Sequence, residues 1–550
     1  MKKAVLLGIN DGAALWVARE LSRMGFQVDM ICWENHFALN SSYFSSYYVL
    51  SDIYHSVNTF VDESIQLLKS KKYDFLIPIN DAAIEICKAY QDELIQSVQI
   101  LGLPDEATYL YAHNKYELWK KAKEWSIPVP DTTYIDQVSE PLPDSISYPA
   151  IVKPISSKVI LKDRMYSFSV RNAENASQLQ DIIRETVPNI PIMVQQKIPG
   201  FGTGYNVLST NGNPIISYCH MRIHEPVDGG QSSYRKVING DKYGLKNYGE
   251  KLLQSIHWTG VAMIEFKVNQ QKPYLMELNG RYWGSIGLGI FAGHNIIKEH
   301  IKPYIKEPQE KLDSDKLPRE VFARNLKLDV RYLVTNILRK RSLFPLLWWI
   351  ASWRHFLTGK ELIEEIRISN LRMEISYMTN ILRRWGTNFA YHLYHRRKAI
   401  QSPFDIREGM KIGFICYGNI CRSPFAVAYA RSKYANHDFF SFGLHPHENR
   451  MPPINALKAA ELQHIDLSTH SSRKLQIKDV KQLDHIYMMD YRDHFLYCQE
   501  FPDYVNKAHL LNPTLAIRDP YGTEIGTFEK IYVKIARSID VLLDTRKSVQ

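Results

Sequence analysis

The stretch KIGFICYGNICRSPFAVAYARSKY, residues 411–434, decides how this 550-residue chain ends. IGFIC is an apolar run of strand type that closes on Cys416, and the residues after Pro424 have helical spacing. Ser423 and Pro424 suit the first turn of that helix, as a hydroxyl cap and a ring with no N–H to leave unpaired. The intervening residues Tyr417, Gly418, Asn419, Ile420 and Cys421 must therefore wrap around a helix N-terminus. Backbone N–H groups, the helix dipole and the Arg422 guanidinium would converge there, where a phosphate dianion could sit. The same field favours a thiolate at Cys416, able to attack phosphorus in line and form a phosphocysteine. Arg422, six residues on, would grip two equatorial oxygens. Asp519 in RDPYG, on a loop stiffened by Pro520, is the expected proton donor to the leaving group.

Outward from this stretch, LDHIYMM (483–489) and FEKIYVKIARSIDVLL (528–543) continue the alternation of strand and helix. A doubly wound parallel sheet is expected over 409–550. Residues 1–110 show a second such alternation, with strand runs AVLLGIN, QVDMICW and DFLIPIN between helical patterns. GINDG, 8–12, reads as a tight turn; the G-x-G-x-x-G fingerprint is absent, so NAD is not expected. Residues 111–305 mix strands and helices in α+β fashion, and 306–408 are a basic helical connector rich in Arg, Lys, Trp and Tyr. The fold class is thus α/β multidomain.

Hydrophobic residues at 45% and charged ones at 23% leave no room for long disorder, and the net charge of +10 suits anionic partners without choosing among them. Six dispersed cysteines make no disulfide framework, so a reducing, cytoplasmic setting is expected. No run reaches the roughly 18 apolar residues of a spanning helix; the best is LFPLLWWIASW, 343–353. With its basic neighbours RYLVTNILRKR and NILRRW, that run reads either as a connector packed on the preceding domain or as a helix lying on a membrane surface over 319–400. Nucleic acid is not expected, since no recognised fold supports it.

In the central region Glu265 lies twelve residues before Glu277 and fourteen before Asn279, the spacing of two antiparallel strands joined by NQQKP. Such strands would share hard oxygen ligands suited to Mg²⁺ between phosphate groups. Arg281, two further on, could neutralise a transferred phosphoryl group. Lys115 and Lys153 are candidate phosphate ligands, and Gln195, Gln196, Lys197 and Ile198 would form the strand and hinge around adenine. His220, Arg222 and the run at 229–232 are weaker candidates for substrate contact.

Two resemblances follow. CYGNICRSP, SFG, DLSTHSSRKL, MMD and DPYG, in that order over about 410–550, resemble the low-molecular-weight protein-tyrosine phosphatase family. The resemblance implies that Asn419 and Ser423 shape the loop and stabilise the thiolate, with His470 and Arg473 in support. It also implies that Cys421 can form a reversible disulfide with Cys416, that Tyr521 walls a tyrosine-accepting cleft, and that no cofactor is needed. HNKYELWKKAKEWSIPVPDT, YPAIVKP, VQQKIPG, GVAMIEF and MELNGRYWGSIGLGIFAG, with a Rossmann-like domain before them, resemble the ATP-grasp superfamily over about 1–305. ISSKVILKD, 155–163, departs from it in lacking glycines. This resemblance implies ATP and Mg²⁺ as cofactors, with small carboxylate and amine substrates joined through an acyl phosphate.

The expectation is a bifunctional enzyme: a carboxylate ligase fused to a phosphatase acting on phosphotyrosine protein or a small phosphomonoester. The alternative is a phosphatase whose ATP-grasp half only binds nucleotide or docks substrate.

Overall fold

A computed structural model describes residues 2–9, 11–34, 41–138, 142, 146–225, 231–240, 242–308, 320–340, 344–364, 407–445, 450–512, 517–521 and 525–543. The chain forms two compact units, Met1–Tyr377 and Met378–Gln550.

The first unit begins with strands β1 (Lys3–Leu7), β2 (Gln27–Cys32), β3 (Ser46–Val49), β4 (Phe75–Pro78) and β5 (Gln99–Ile100), ordered β3-β2-β1-β4-β5. All pairs are parallel. Two strand-to-helix turns interlock at the sheet's carboxyl edge. Gly8 takes φ +78°, and a Cβ there would lie 2.8 Å from Asn80 Oδ1. Asn80 in turn donates to Ile9 O at 2.9 Å and caps the helix Asp81–Ala89 through Ala83 N–H. The cap places Asp81 at the mouth of the site described below.

Strands β6 (Thr132–Ile135), β7 (Ala150–Pro154), β10 (Arg171–Ala173) and β11 (Ile192–Gln196) form a small antiparallel sheet, ordered β10-β7-β11-β6. Between β7 and β10, β8 (Lys158–Leu161) and β9 (Arg164–Ser167) make a hairpin, the glycine-poor segment of the sequence. The third sheet comprises β12 (Phe201–Thr210), β13 (Asn213–His224), β14 (Tyr234–Ile238), β15 (Gly260–Asn269), β16 (Lys272–Asn279), β17 (Phe322–Arg324) and β18 (Glu361–Ile363). Its order is β16-β15-β12-β13-β14-β17-β18.

Alternation along these strands sorts the faces. One face (Tyr205, Val207, Ile264, Phe266, Leu275) packs under the helix Leu245–Ser255. The other is apolar at one end, where Val261, Met263, Tyr218 and Val237 meet the N-terminal domain. Two residues further along each strand it turns polar, with Glu265, His220 and Arg235.

The connector expected over 306–408 does not begin as a separate element. β17 pairs with β14 and β18 with β17, so the sheet continues past 305. The charges that give 320–364 its solvent-facing look are paired inside. Arg324, fully buried, meets Glu361 at 2.6 Å and also pairs with Asp329, which accepts from Trp349 Nε1 at 2.7 Å. Helices do form at Leu326–Lys340 and Phe344–Ser352. The second has no buried residue, Trp348 being 66% exposed. NILRRW and the rest of 365–406 lie outside the described residues. No helix among the described residues is long and apolar enough to cross a membrane.

The second unit carries β19 (Lys411–Cys416), β20 (Asp438–Gly443), β21 (His485–Met488) and β22 (Ala508–Leu510), all parallel and ordered β20-β19-β21-β22. Phe425, Tyr532 and Ile535 form the core on one face, and Leu475, Ile486 and Tyr497 that on the other. β19 is central, so its carboxyl end opens at the middle of the sheet.

Candidate functional sites

Cys416 ends β19 and Arg422 begins the helix Arg422–Lys433. Asn419 turns the loop between them, with φ +52°, the left-handed conformation that Asn tolerates better than most residues. Its N–H donates to Cys416 Sγ at 3.2 Å, and Ser423 Oγ lies 3.1 Å from the same sulfur. The Asn419 amide locks the turn, donating to Ser423 Oγ at 2.9 Å and Ser441 Oγ at 3.1 Å, and accepting from Arg473 N–H at 2.8 Å. Burial pushes His470 below its ordinary pKa, and its neutral ring donates Nε2–H to Asn419 O at 2.8 Å. Gly443 lies so close that a Cβ would sit 3.0 Å from Asn419 Cβ. One hydroxyl and one backbone N–H thus stand against the sulfur.

Arg422 is almost fully buried and faces three carboxylates: Asp490 at 2.5 Å, Asp519 at 3.0 Å and Asp493 at 3.3 Å. It also donates to Ile517 O at 3.0 Å. Its guanidinium is thereby held beside the loop, with Asp519 on the more open side. Burial pushes Asp493 up to about 8, against the pull of Arg422 and with Asp490 adding to the rise. Cys421 is buried, and burial raises its thiol pKa strongly. All six cysteines are free thiols. Tyr521 is 64% exposed; Tyr417 is covered by the Arg492 guanidinium, 4.3 Å from the ring centre.

In the first unit, the polar end of the seven-stranded sheet faces a cavity of about 1170 Å³. Gln270 and Gln271, both at positive φ, make the two-residue turn that pairs β15 with β16 and sets Glu265 opposite Glu277. Arg222 reaches over β12 to Glu265 at 2.6 Å, and it can do so because β12 has Gly202 and Gly204 there. A Cβ on Gly204 would stand 2.4 Å from the His220 ring, and one on Gly202 2.7 Å from Arg222 Cδ. His220 is buried, which drives its pKa well down; Asn206 donates to its Nδ1 at 2.9 Å, leaving the proton on Nε2.

Burial raises the pKa of Glu265 while Arg222 opposes, and the charge of Glu277 adds to the rise. Glu277 is held low, burial being outweighed by Lys115 and Lys153. Among the described residues no cluster of three His, Cys, Asp or Glu side chains is arranged to hold a metal. The set here is two facing carboxylates and the Asn279 amide, whose Nδ2 donates to Glu277 at 3.1 Å. Such a hard oxygen set, short of a full shell, fits Mg²⁺, which usually takes its remaining ligands from water and phosphate.

Lys153 and residues 195–198 line the cavity, with Gln195 Nε2 bonded to Thr132 Oγ1 at 2.9 Å. Lys115 lies in an adjoining pocket of about 120 Å³ that shares Asp81, Glu277, Asn279 and Arg281 with the cavity. Arg281 does not stand open to a phosphoryl group. Asp81 clasps it by two bonds, at 2.5 and 2.9 Å, and its Nη2 donates to Asn279 Oδ1 at 3.2 Å.

A family model described as "Low molecular weight phosphotyrosine protein phosphatase" matches residues 411–550. The chain belongs, through these residues, to that family. The low-molecular-weight protein-tyrosine-phosphatase Wzb of Salmonella typhi is 27% identical over 131 residues, 23% of this chain and 88% of Wzb. Arsenate reductase of Staphylococcus xylosus is 30% identical over 132 residues, 24% of this chain and 92% of that protein. The first unit is similar to the L-amino acid ligase from Bacillus licheniformis, with 16% identity, a TM-score of 0.46, and coverage of 58% of this chain and 78% of the ligase.

In the phosphatase domain the residues that sequence reasoning passed over are Asp493, Ser441 and Arg450. Arg450 donates to Gly418 O at 2.7 Å from 32 residues away. Asp493 had a readable signal: Asp490 caps the helix Tyr491–Glu500 through Asp493 N–H, which brings both carboxylates to one helix end. In the first unit the missed residues are Asp81, Arg235 and Glu364, none of which stands near the motifs. Residues 229 and 230 lie outside the described residues; Ser232 donates to His224 O at 2.9 Å.

Proposed function

We propose that the chain carries two independent activities, a cysteine-dependent phosphatase in residues 411–550 and an ATP-dependent carboxylate ligase in the first unit. The phosphatase reading rests on one observation above others. Cys416 Sγ receives Asn419 N–H and Ser423 Oγ at the N-terminus of a helix whose first residue is Arg422. The sulfur attacks phosphorus and the bond to the leaving oxygen breaks as Asp519 gives that oxygen its proton. Water, deprotonated by Asp519, then attacks the phosphocysteine, releasing phosphate and the thiolate. Substrate entry exchanges the Asp519–Arg422 contact for phosphate oxygens on Arg422. The substrate is a phosphotyrosine protein or a small aryl phosphomonoester, with Tyr417 and Tyr521 at the entrance.

The ligase reading rests on Glu265 and Glu277 standing opposite each other in register, in a cavity lined by Lys153 and residues 195–198. A substrate carboxylate takes the terminal phosphoryl group of ATP, giving an acyl phosphate and ADP; an amine then displaces phosphate and loses a proton. Glu265, Glu277 and Asn279 would hold Mg²⁺, which supplies charge neutralisation on phosphate oxygens when bound. Lys153, whose pKa burial lowers against the pull of Glu277, faces the same space. The helix Phe344–Ser352, with Phe344, Leu347 and Trp348 exposed, is the part of 319–400 suited to an anionic membrane surface, and free cysteines suit a cytoplasmic setting.

Purified full chain tests both halves. Aryl phosphate should be hydrolysed without added metal, and a panel of carboxylates and amines with ATP and Mg²⁺ should release ADP for at least one pair. Hydrolysis without any ADP release, where nucleotide still binds, would favour a docking or nucleotide-binding role for the first unit.

A further inference from the structure

Beside the phosphatase loop stands an arginine that the reaction above leaves idle. Arg492 belongs to the first turn of the helix Tyr491–Glu500, where the capping Asp490 and the buried Asp493 both face Arg422, at 2.5 and 3.3 Å. Those two contacts fix the helix end against the loop. Arg492, between them in sequence, is exposed and lies instead over the ring of Tyr417, 4.3 Å from its centre. Tyr417 directly follows the nucleophile and is itself held. Its carbonyl accepts from Leu444 and His445 N–H at 3.0 and 2.8 Å, and the His445 ring meets its ring edge-on at 5.2 Å. Among the described residues no carboxylate pairs with Arg492; Asp493, which feels its charge, is buried and faces Arg422.

Two consequences of the stack point to a ligand. An exposed arginine ordinarily loses much rotamer freedom when it binds something, and against a ring face part of that loss has already occurred. The stack also uses the flat face of the guanidinium, so the N–H groups at its edge keep the fork that matches a carboxylate. Charge at the loop says what kind of ligand. Arg422 already faces three carboxylates, and Asp490 stays beside it when substrate displaces Asp519. An anionic substrate therefore meets little net positive charge from Arg422, and the rim supplies it through Arg492 on Tyr417 and Arg450 on Gly418 O, the latter at 2.7 Å.

We propose that Arg492, held on Tyr417, binds an acidic side chain that neighbours the phosphorylated residue, so that the phosphatase half prefers acidic phosphopeptide segments to neutral or basic ones. The proposal rests on the phosphatase reading and narrows it to phosphotyrosine in an acidic stretch of protein. A basic neighbour would be repelled, and an apolar one would have to displace the guanidinium to reach the ring. A small phosphomonoester has nothing to place there.

The test uses the full chain and phosphotyrosine peptides that differ only in the residues flanking the phosphorylated one, which are Glu, Gln or Lys, with phenyl phosphate as the small reference. The Glu peptide should show kcat/KM about 3- to 10-fold above the Gln peptide, chiefly through KM, as suits a charge pair at an exposed rim. High salt should shrink that margin. Arg492→Gln should remove the preference, and Arg492→Glu should turn it toward the Lys peptide. Preference is read as a ratio within each protein, so a general loss of turnover cancels. If Arg492→Glu fails to melt cooperatively, Arg492→Gln and the salt series on the natural chain decide. Equal kcat/KM on Glu and Gln peptides, a preference that persists in Arg492→Gln, or hydrolysis of phenyl phosphate with no peptide accepted would overturn the role of Arg492 and leave the phosphatase standing. Hydrolysis of neither phenyl phosphate nor any peptide would remove the phosphatase reading itself, and this role with it.

Discussion

Arg422 and Arg281 are both buried arginines clasped by aspartate beside a phosphate-type site, and they come to that state by different routes. Arg422 stands six residues from Cys416, at the first position of the helix that directly follows their shared loop. Arg281 meets Asp81 across 200 residues of chain, and its place depends on a strand register, a hairpin turn and the cap of a helix in another sheet. A site made by one strand–helix junction carries most of its geometry with it. A site assembled from several sheets is only as good as the packing between them. The phosphatase loop should therefore tolerate changes elsewhere that the cavity does not.

The largest expected effect is at the sulfur. Cys416→Ser should reduce aryl phosphate hydrolysis on the order of 10⁴-fold or more, while ADP release stays as it was; residual turnover near the natural level would remove Cys416 from the nucleophile role. Next comes Glu277→Gln, which should cut ADP release by about 10³-fold by removing one of two facing carboxylates. Aryl phosphate hydrolysis should be unchanged in that variant and in the presence of chelator. If chelator stopped both reactions the contrast between the sites would collapse, because hydrolysis would then belong to a metal.

Asp519→Asn sharpens the comparison inside the phosphatase. Loss of the proton donor should slow poor leaving groups by about 10²- to 10³-fold and activated ones by less than about 10-fold; equal losses would point to a structural role through Arg422. Gly204→Ala tests the assembled site. The new Cβ would fall 2.4 Å from the His220 ring, and overpacking of this kind costs about 1–3 kcal/mol. The first unit should melt a few degrees lower and its ADP release should fall, with phosphatase kinetics unaltered.

The smallest effect is a pH dependence. Asp493 is pushed up to about 8 by burial, with Asp490 and Asp519 adding to the rise, while in the unfolded chain it titrates near the usual value of about 3.9. Between those values the folded state holds a proton that the unfolded state has lost, so stability falls as pH rises through that window. Asp493→Asn should flatten the melting temperature of the phosphatase domain between pH 4 and 8. An unchanged slope would mean that Arg422 keeps Asp493 ionised throughout.

Much of this was legible in the chain. The strand ending at Cys416, the helix opening at Arg422 and the alternation on either side follow from apolar runs and a helix-start signal. The pairing of Glu265 with Glu277 follows from a twelve-residue spacing around a two-residue turn. In both cases the information is local, because a backbone junction or a hairpin satisfies its own hydrogen bonds within a short stretch. Other features were not legible. β17 and β18 are three residues each, too short to show a period of two, and Arg324, Asp329 and Glu361 look solvated until burial joins them. Asp81 against Arg281 and Glu364 against Arg235 were decided by tertiary structure alone. Their pairing is set by which sheet edges and helix ends pack together, and charge in a sequence carries no sign of whether its partner lies three residues away or two hundred.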